Sequence, residues 1–600
     1  MGAPPRGADG RAAAADQVHG LVLRVRGAEL GLAVCPDPQR YHHHRTFFFS
    51  LSFSTSTTFF SNSLSHALNL PPNPPHQLNP ARHAYAIATG LILLAYPFGS
   101  GIANLAVPAV TTYALLAQLP AFAGTLAWCL DFAFLLWCHI AGASGGAWKE
   151  GRVDYTGALM ILTLKCIAAA VSRQDGATAR PGLSPYAATH ARRAAPTPLE
   201  WASYCLSCGG LLSGPFFELG DYLDYVNRVG AWENNSNTAS GNSGNGSGSN
   251  NEATRNRASP SSSSSCCLPH LRPALLASFL RLCKAVACAA AYFLLAPRFG
   301  PSLFESASSS KVFFAAPLAS RFALLWAAGV TDRAKYYAVW SIAEAGLIAA
   351  GFSYSPPPVA AASEEEAEQQ ELAAQNGGNA PMTTATATKR PKPASPTFER
   401  FTNARILGVE CATSAAALPL NWNVCTGRFL RHYVYERLNR GGRGGLRTLL
   451  ATQGVAGLWH GTFPGYALFF LSSAFMFESS KALYRYEKYS WPRWVANCLP
   501  WKVIKWAFVA ACLNYSSSAF IILEYGPSVR VWRAVHFLPS FVMAAIVVVS
   551  KVVPPRRGRR RAASTVAAAP AAEAATGTGA GGAAAAGAPA SQPASRAKAE

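Results

Sequence analysis

Charged residues are scarce in this 600-residue chain: they make up 14% of it, whereas an ordinary soluble domain has about 25%. The shortage is concentrated in long apolar runs, which span residues 85–99, 104–138, 155–171, 274–296, 312–330, 336–352, 449–477, 506–523 and 534–550. A helix of roughly 20 apolar residues crosses a bilayer core of about 30 Å. So many such runs exclude an ordinary soluble protein and predict a polytopic membrane protein.

The chain also lacks the pattern of a membrane β-barrel, whose strands are about 10 residues long and alternate between apolar and polar positions. Its apolar runs are longer and do not alternate. The sequence therefore predicts an all-α fold, a polytopic membrane helical bundle with roughly ten transmembrane helices. Glycine, proline and ionisable residues within several runs indicate that some helices are tilted or re-entrant.

Acidic residues are fewer than basic ones, 30 against 52, and the net charge is +22. The basic residues stand mainly at the ends of apolar runs and in two clusters, which argues against nucleic-acid binding and favours contact with membrane lipids. One cluster, of five arginines between Arg556 and Arg561, follows the last apolar run. By the positive-inside rule it predicts a cytosolic C-terminal tail.

Several catalytic and binding signatures are missing. Cys205 and Cys208 form one CxxC pair, but no second pair or histidine stands at zinc-finger spacing, so no metal site is predicted. No serine or cysteine occupies a recognisable nucleophile elbow. The chain has no internal repeat and no KDEL-type retention signal.

Composition divides the chain into a membrane domain and low-complexity segments. Residues 1–80 predict a disordered or targeting-like extension because they are poor in acidic residues and include a His42–His44 triplet. Residues 81–553 form the membrane domain. Two insertions of low complexity interrupt it at 234–265, rich in Asn, Gly and Ser, and at 355–395; residues 554–600 predict a disordered cytosolic tail.

The strongest local signal for function lies around His460, in the sequence Gly457-Leu-Trp-His-Gly-Thr-Phe-Pro-Gly-Tyr466. A histidine in a long apolar run is costly unless it is paired or functional. The glycines on either side thin the chain and permit close approach of a substrate. Taken alone, the pattern is explained equally well by a histidine that pairs with a neighbouring helix.

A second signal begins at Asn423, where a neutral amide can orient an imidazole or stabilise an oxyanion. An arginine-rich segment follows it, with Arg428, Arg431, Arg437, Arg440, Arg443 and Arg447. Arginine binds phosphate through its planar fork. The segment is therefore either a solvated loop or a docking site for the phosphates of coenzyme A.

Together these elements resemble the membrane-bound O-acyltransferase (MBOAT) family, in its lysophospholipid acyltransferase branch. The resemblance rests on WNxxT at Trp422–Thr426, RxYVYxR at Arg431–Arg437 and LWHGxxPGY at Leu458–Tyr466. Three upstream segments agree with it, at Asp154–Lys165, Pro198–Tyr222 and Lys335–Phe352. Two features depart from the family pattern: Leu159 replaces a glutamine that many members carry, and the two long insertions are unusual.

The resemblance implies a helical bundle with an internal catalytic tunnel in which Asn423 and His460 form the active site. It implies transfer of an acyl chain from acyl-CoA, a co-substrate, to the free sn-2 hydroxyl of a lysophospholipid in phospholipid synthesis or remodelling, with no further cofactor. It also implies residence in the endoplasmic reticulum. Further candidates for binding acyl-CoA or substrate are Trp422, Thr426, Arg428, Arg431, Arg437, Trp459, Gly461, Pro464 and Tyr466.

Lys165 and Glu344 are ionisable residues within apolar runs, and each either lines the cavity or pairs with another helix. Two alternative functions remain at this point. One is an MBOAT acyltransferase with another acceptor, such as a sterol, diacylglycerol or a protein; the other is a transporter or non-catalytic scaffold. The sequence does not decide the head group, the acyl-chain preference or the oligomeric state, and a homodimer is compatible with it.

Overall fold

The structure, a computed structural model, describes residues 80–143, 155–212, 214–232, 268–305, 309–356, 397–439 and 445–555. The predicted N-terminal extension, the insertion at 234–265 and the arginine cluster from Arg556 lie outside these residues, as does nearly all of the insertion at 355–395. So do Arg440 and Arg443. Within the described ranges the chain is helical, with two isolated β-bridges, Ser355–Thr397 and Ala404–Trp422.

The first eight helices lie before the insertion at 234–265. They are α1 (Pro80–Phe98), α2 (Ala103–Gln118), α3 (Ala123–Ala143), α4 (Thr156–Thr178), α5 (Pro185–His190), α6 (Pro198–Leu206), α7 (Cys208–Leu211) and α8 (Leu219–Asn227). Between the two insertions stand α9 (Leu268–Phe299), α10 (Ser302–Glu305), α11 (Ser309–Ala315) and α12 (Leu318–Ala349).

The C-terminal part carries the short helices that position the site and the last long helices. These are α13 (Ile406–Glu410), α14 (Val424–Phe429), α15 (Glu436–Leu438), α16 (Leu446–His460), α17 (Pro464–Tyr489), α18 (Arg493–Asn497), α19 (Leu499–Ile522), α20 (Tyr525–Ala534) and α21 (Leu538–Val552). A π-helical turn over Leu430–Tyr435 joins α14 to α15.

Four stretches of the described chain are long and apolar enough to cross a membrane: Pro80–Gln118, Ala123–Gly142, Thr156–Thr178 and Arg272–Phe304. A fifth is formed if α20 and α21, which bend by 79° at their junction, are taken as one span. The helical membrane fold is thus confirmed, and the number of about ten spans stays a prediction. Helices α12, α17 and α19 are long but carry serine, glycine and charged residues, which lowers their hydropathy.

The structure divides some apolar runs and joins others. The run at 104–138 breaks into α2 and α3, and the run at 449–477 breaks into α16 and α17 just after His460. The runs at 312–330 and 336–352 were expected to be separate spans, but most of both lies in the single helix α12. Asp332, Arg333 and Lys335 interrupt the hydropathy there without breaking the helix.

The helices pack in two groups. In the first, α4 packs against α2 and α3, and 89% of its most apolar window is buried, so it is the central helix of that group. In the second, α19 packs against both α12 and α17, and α9 packs along α12. Only 6% of the corresponding window of α9 is buried, so this helix forms an outer, lipid-facing edge.

Candidate active site

A cavity is lined by α12, α16, α17 and α19 and by the segment 418–430, and both Asn423 and His460 line it. Its apolar wall consists of Val409, Leu418, Leu430, Phe469, Phe470, Met476, Phe477, Leu513 and Phe520. Its polar wall includes Asp332, Arg333, Tyr336, Thr426, Gln453, Ser473 and Ser517. A mostly apolar pocket with a few convergent polar groups is the usual form of a ligand site.

His460 is the last residue of α16, at the point where the chain leaves the helix. Its ring packs among aromatic side chains, with centroid distances of 4.7 Å to Trp459, 5.2 Å to Phe470, 5.2 Å to Phe520 and 5.6 Å to Tyr466. No described residue hydrogen-bonds its ring nitrogens. Among the described residues, His460 therefore has no hydrogen-bond partner on a neighbouring helix, and its imidazole is available to a ligand.

The turn after His460 depends on Gly461, whose φ is +129° and ψ −173°. This region of backbone conformation is essentially restricted to glycine. Pro464 occupies the first turn of α17, where its fixed φ favours a helix start. Tyr466 is buried beside the imidazole. None of these three residues lines the cavity; they fix where His460 stands.

Asn423 immediately precedes α14, with its backbone in the left-handed region at φ 46° and ψ 49°. Asparagine tolerates this conformation better than most residues do. Its side-chain Oδ1 accepts a hydrogen bond of 3.3 Å from Nδ2 of Asn403. The loop carrying Asn403 runs beside it, joined through the Ala404–Trp422 bridge. Asn423 is thus held by backbone and side chain together.

Two tryptophans of the predicted motifs also line the cavity. Trp422 packs against Trp340 of α12 with ring centroids 4.8 Å apart. Trp459 donates from Nε1 to the carbonyl of Met160 at 2.9 Å, and its own carbonyl lies 3.1 Å from Nε2 of His139. Trp422 thus packs its loop against α12, Trp459 connects α16 to α3 and α4, and both shape the wall that the two catalytic candidates share.

The arginines of the predicted phosphate site divide by what they contact. Arg437 forms a two-point ion pair with the buried Asp175, at 3.1 and 2.5 Å. Arg431 is largely exposed and pairs with Glu436 at 3.0 Å. Arg428 has no hydrogen bond or ion pair with any described residue. Of these three, only Arg428 therefore keeps its guanidinium available to a phosphate without breaking an existing pair.

Lys165 and Glu344 do not line the cavity. Lys165 is fully buried, donates to the carbonyl of Tyr204 and lies 2.9 Å from the hydroxyl of Ser207. Glu344 pairs through Oε2 with Arg281 and Lys284 of α9, at 3.4 and 3.3 Å. Of the two interpretations that the sequence left open, the structure shows pairing with other helices for both residues.

Several residues at the site had no recognisable signal in the sequence. Asn403, which contacts Asn423, follows a low-complexity segment and belongs to no apolar period. Gln453 stands two turns before His460 on α16 and also lines the cavity. Arg333 is held by Glu410 at 2.7 Å and by Asn514 at 2.8 Å. On α12, the helix that carries Arg333, the sequence motifs included only the segment that begins at Lys335.

The arrangement suits acyl transfer to a hydroxyl. A neutral imidazole whose ring nitrogens have no partner among the described residues can take a proton as a general base. An amide beside it supplies a hydrogen bond to a developing charge. Cys425 is fully buried and does not line the cavity, so direct transfer is favoured over a covalent intermediate on that thiol.

Comparisons with known proteins identify the family of the chain. The profile of "MBOAT, membrane-bound O-acyltransferase family" matches residues 140–522. Lysophospholipid acyltransferase 2 of Arabidopsis thaliana is 32% identical over 470 residues, which is 78% of this chain and 86% of that protein. Lysophospholipid acyltransferase 1 of the same plant is 31% identical over 469 residues, 78% of this chain and 87% of that protein.

A more distant relative is lysophospholipid acyltransferase of Schizosaccharomyces pombe, which is 26% identical over 403 residues, 64% of each chain. The matched region contains Asn423 and His460, the cavity that they line and most of the described helices. The resemblance predicted from the motifs is thereby confirmed, and the chain belongs to the membrane-bound O-acyltransferase family and is an integral membrane O-acyltransferase.

Proposed function

We propose that the protein transfers the acyl chain of acyl-CoA to the free sn-2 hydroxyl of a lysophospholipid. The observation that carries this proposal is the shared cavity: Asn423 and His460, distant in sequence, line one largely apolar space. The acceptor class is supported by the names of the relatives in Arabidopsis thaliana and Schizosaccharomyces pombe.

In the proposed mechanism, His460 takes the proton of the lysolipid hydroxyl as its oxygen attacks the thioester carbon. Asn423 orients the reacting groups or stabilises the oxyanion. The intermediate collapses with cleavage of the carbon–sulfur bond, and the proton passes from His460 to the departing thiolate. The products are the acylated phospholipid and free coenzyme A. The apolar wall formed by Phe469, Phe470 and Phe520 offers a surface for the acyl chain.

Coenzyme A reaches the site from the cytosol in this proposal, since its head is water-soluble and carries phosphates. Arg428 supports that step because its guanidinium has no partner among the described residues. The lysolipid, which is membrane-soluble, enters sideways from the bilayer. Location in the endoplasmic reticulum is part of the proposal and follows from the family resemblance.

The test is an acyl-transfer assay in membranes of a host that lacks its own lysophospholipid acyltransferases. Labelled oleoyl-CoA is supplied with lysophosphatidylcholine, -ethanolamine, -serine, -glycerol or -inositol, or with a sterol or diacylglycerol. Replacement of His460 by alanine should lower the rate about 100- to 10,000-fold because the general base is lost. His536→Gly is the control, since His536 lies in the turn after α20, does not line the cavity, and has a left-handed backbone that glycine accepts without strain.

Asn423 is better replaced by glycine than by alanine. Glycine adopts the left-handed backbone without strain, so Asn423→Gly removes the amide without forcing the loop. Product formed by wild type from a lysophospholipid and lost in the His460 and Asn423 variants supports the proposal. Transfer only to a sterol or diacylglycerol refutes the acceptor, and transfer that survives His460→Ala refutes the mechanism.

A further inference from the structure

Asn403 is a fully buried amide whose position is fixed by backbone groups. Its own N–H donates to Oε1 of Glu344 at 2.8 Å, and its carbonyl accepts from the N–H of Val424 at 3.0 Å. Its side-chain Oδ1 accepts from the N–H of Cys425 at 3.1 Å. Asn403 therefore fastens the loop before α13 to the first turn of α14, directly beside Asn423.

These contacts determine which atom of Asn423 faces the cavity as an open group. A backbone N–H only donates, so the Asn403 atom that faces Cys425 must be the oxygen. The other atom, Nδ2, then faces Asn423 as a donor, and the atom that it meets 3.3 Å away must be Oδ1. The NH2 group of Asn423 remains, and no described residue accepts a hydrogen bond from it.

A second donor without a described partner stands one helical turn further on. Thr426 lines the same cavity as Asn423 and is only 4% exposed, yet its Oγ1 has no hydrogen-bond partner. A buried hydroxyl without a partner costs folding free energy. A ligand that accepts a hydrogen bond from it in the cavity removes that cost.

We propose that Nδ2 of Asn423 and Oγ1 of Thr426 are paired donors to the carbonyl oxygen of the acyl thioester, and that Asn403 is the positioning residue that keeps Asn423 a donor. The inference deepens the proposed function and rests on it for the acyl-CoA substrate. As the hydroxyl oxygen attacks the carbonyl carbon, negative charge develops on the carbonyl oxygen between the two donors. The carbon–oxygen double bond forms again when the carbon–sulfur bond breaks and His460 protonates the sulfur.

This geometry decides between the two roles left open for Asn423. To hold the His460 ring through an imidazole N–H, the amide would have to use the second lone pair of an oxygen that already accepts from Asn403, whereas its NH2 group has no acceptor among the described residues. An NH2 group suits a developing oxyanion instead. Asn423 therefore stabilises the substrate, and the fit of Trp459, Phe470 and Phe520 around the imidazole places His460.

Thr426→Val is the principal test, because valine keeps the shape of threonine and removes only the hydroxyl. Loss of one such donor should lower kcat about 100-fold, while the KM for acyl-CoA changes less than about threefold, since the oxygen is charged only in the transition state. Thermal stability should be unchanged or higher because the lost hydroxyl has no partner in the protein. Thr426→Ser should restore most of the rate.

Thr452→Val is the matched control. Thr452 is also buried, but its hydroxyl donates to the carbonyl of Thr448 at 2.8 Å and it does not line the cavity. This variant should keep its kcat. A Thr426→Val enzyme within about threefold of the wild-type kcat would overturn the role of Thr426, as would a Thr426→Ser enzyme as slow as the valine variant.

Asn403→Asp tests the positioning role. A carboxylate still accepts from the N–H of Cys425 but no longer donates to Asn423, so the Asn423 amide is free to rotate and present its oxygen. The expected result is a fall in kcat of at least about 10-fold with little change in KM. Asn421→Asp is the control, because Asn421 donates to the Ala417 carbonyl in the same loop and does not line the cavity. Equal rates for the two variants would refute the positioning role.

A binding measurement separates this inference from the choice of acceptor. Two unreactive analogues of acyl-CoA are compared, one that keeps the carbonyl as a ketone and one that is a simple thioether. Wild type should bind the ketone up to about threefold more tightly, because the donors act mainly on the transition state, and Thr426→Val should reduce that preference. If wild type acylates no lysophospholipid but shows the preference, only the acceptor assignment fails. If wild type shows no preference, the donor pair is wrong.

Discussion

At the scale of single residues, Asn423 meets two separate demands. Its backbone is left-handed, which few side chains tolerate, and its amide borders the cavity beside an imidazole. Because asparagine satisfies both demands, a substitution there tests chemistry only if the replacement also accepts the backbone. Glycine does so, whereas alanine adds strain in the folded state to the loss of the amide.

The arginines near the site lead to a prediction that separates binding from stability. Arg428→Gln should raise the KM for acyl-CoA and weaken its dependence on salt, because one cation that attracts phosphate is lost. Arg437→Gln should instead destabilise the protein by up to about 3 kcal/mol, since the buried carboxylate of Asp175 keeps only the longer ion pair with Arg180, at 3.9 Å.

The measurements are steady-state kinetics at two salt concentrations and denaturation in detergent. Arg431→Gln is the control for both variants, because that side chain is 66% exposed and its ion pair with Glu436 contributes little. A KM unchanged in the Arg428 variant would remove this residue from coenzyme A recognition. A stable Arg437 variant with a raised KM for acyl-CoA would place the phosphate site at Arg437 in place of Arg428.

Sequence patterns identified the residues of the motifs but not what each one contacts. Lys165 and Glu344 were recognisable as ionisable residues in apolar runs, where burying a charge costs free energy. Hydropathy does not show whether a cavity or a partner on another helix offsets that cost. Asn403 was not recognisable at all, because its contact with Asn423 depends on how two loops pack. The sequence motifs that predicted Asn423 and His460 do not include such supporting residues.

At the scale of helices, the break between α16 and α17 decides where the imidazole lies. Gly461→Ala should destabilise the protein by about 1–3 kcal/mol, since only glycine adopts this backbone conformation readily. An added Cβ would also lie 3.4 Å from Tyr466 and 3.5 Å from His139. Because relief of the strain displaces His460, we expect kcat to fall as well, which activity and thermal-denaturation measurements on the purified variant will show.

Gly454→Ala is the control for that experiment. Gly454 lies within α16, and an added Cβ would meet nothing within 4 Å. Alanine there should leave activity intact and stabilise the helix by about 0.5–1 kcal/mol. If both alanine variants behave alike, the turn at Gly461 does not determine the position of His460.

The same break shows why helix ends were harder to predict than helices. Residues 449–477 form one apolar run, and no charge marks its interruption. The interruption arises from the backbone conformation of Gly461 and from Pro464 at the start of α17. Because glycine and proline also occur inside long helices, their presence in the sequence does not by itself predict a break. Conversely, the charges between 331 and 335 suggested a boundary, but α12 continues because Arg333 and Asp332 find partners at Glu410 and Lys335.

At the scale of the whole molecule, membrane orientation follows from the arginines that come after α21. The positive-inside rule predicts that this end of the chain faces the cytosol. A protease-sensitive tag placed at the C-terminus should be cleaved in intact microsomes, whose outer face is cytosolic. A tag that is protected until detergent is added would indicate the opposite orientation. The control is a second membrane protein that carries the same tag in a loop known to face the lumen.

Glu344 gives the molecule a property that neither the cavity nor the motifs suggest. One oxygen of its carboxylate accepts from the loop that holds Asn423 in place, and the other pairs with Arg281 and Lys284 on α9, the outer helix. Outer helices tilt as the thickness of the surrounding bilayer changes. A single buried side chain thus joins a lipid-facing helix to the loop beside Asn423.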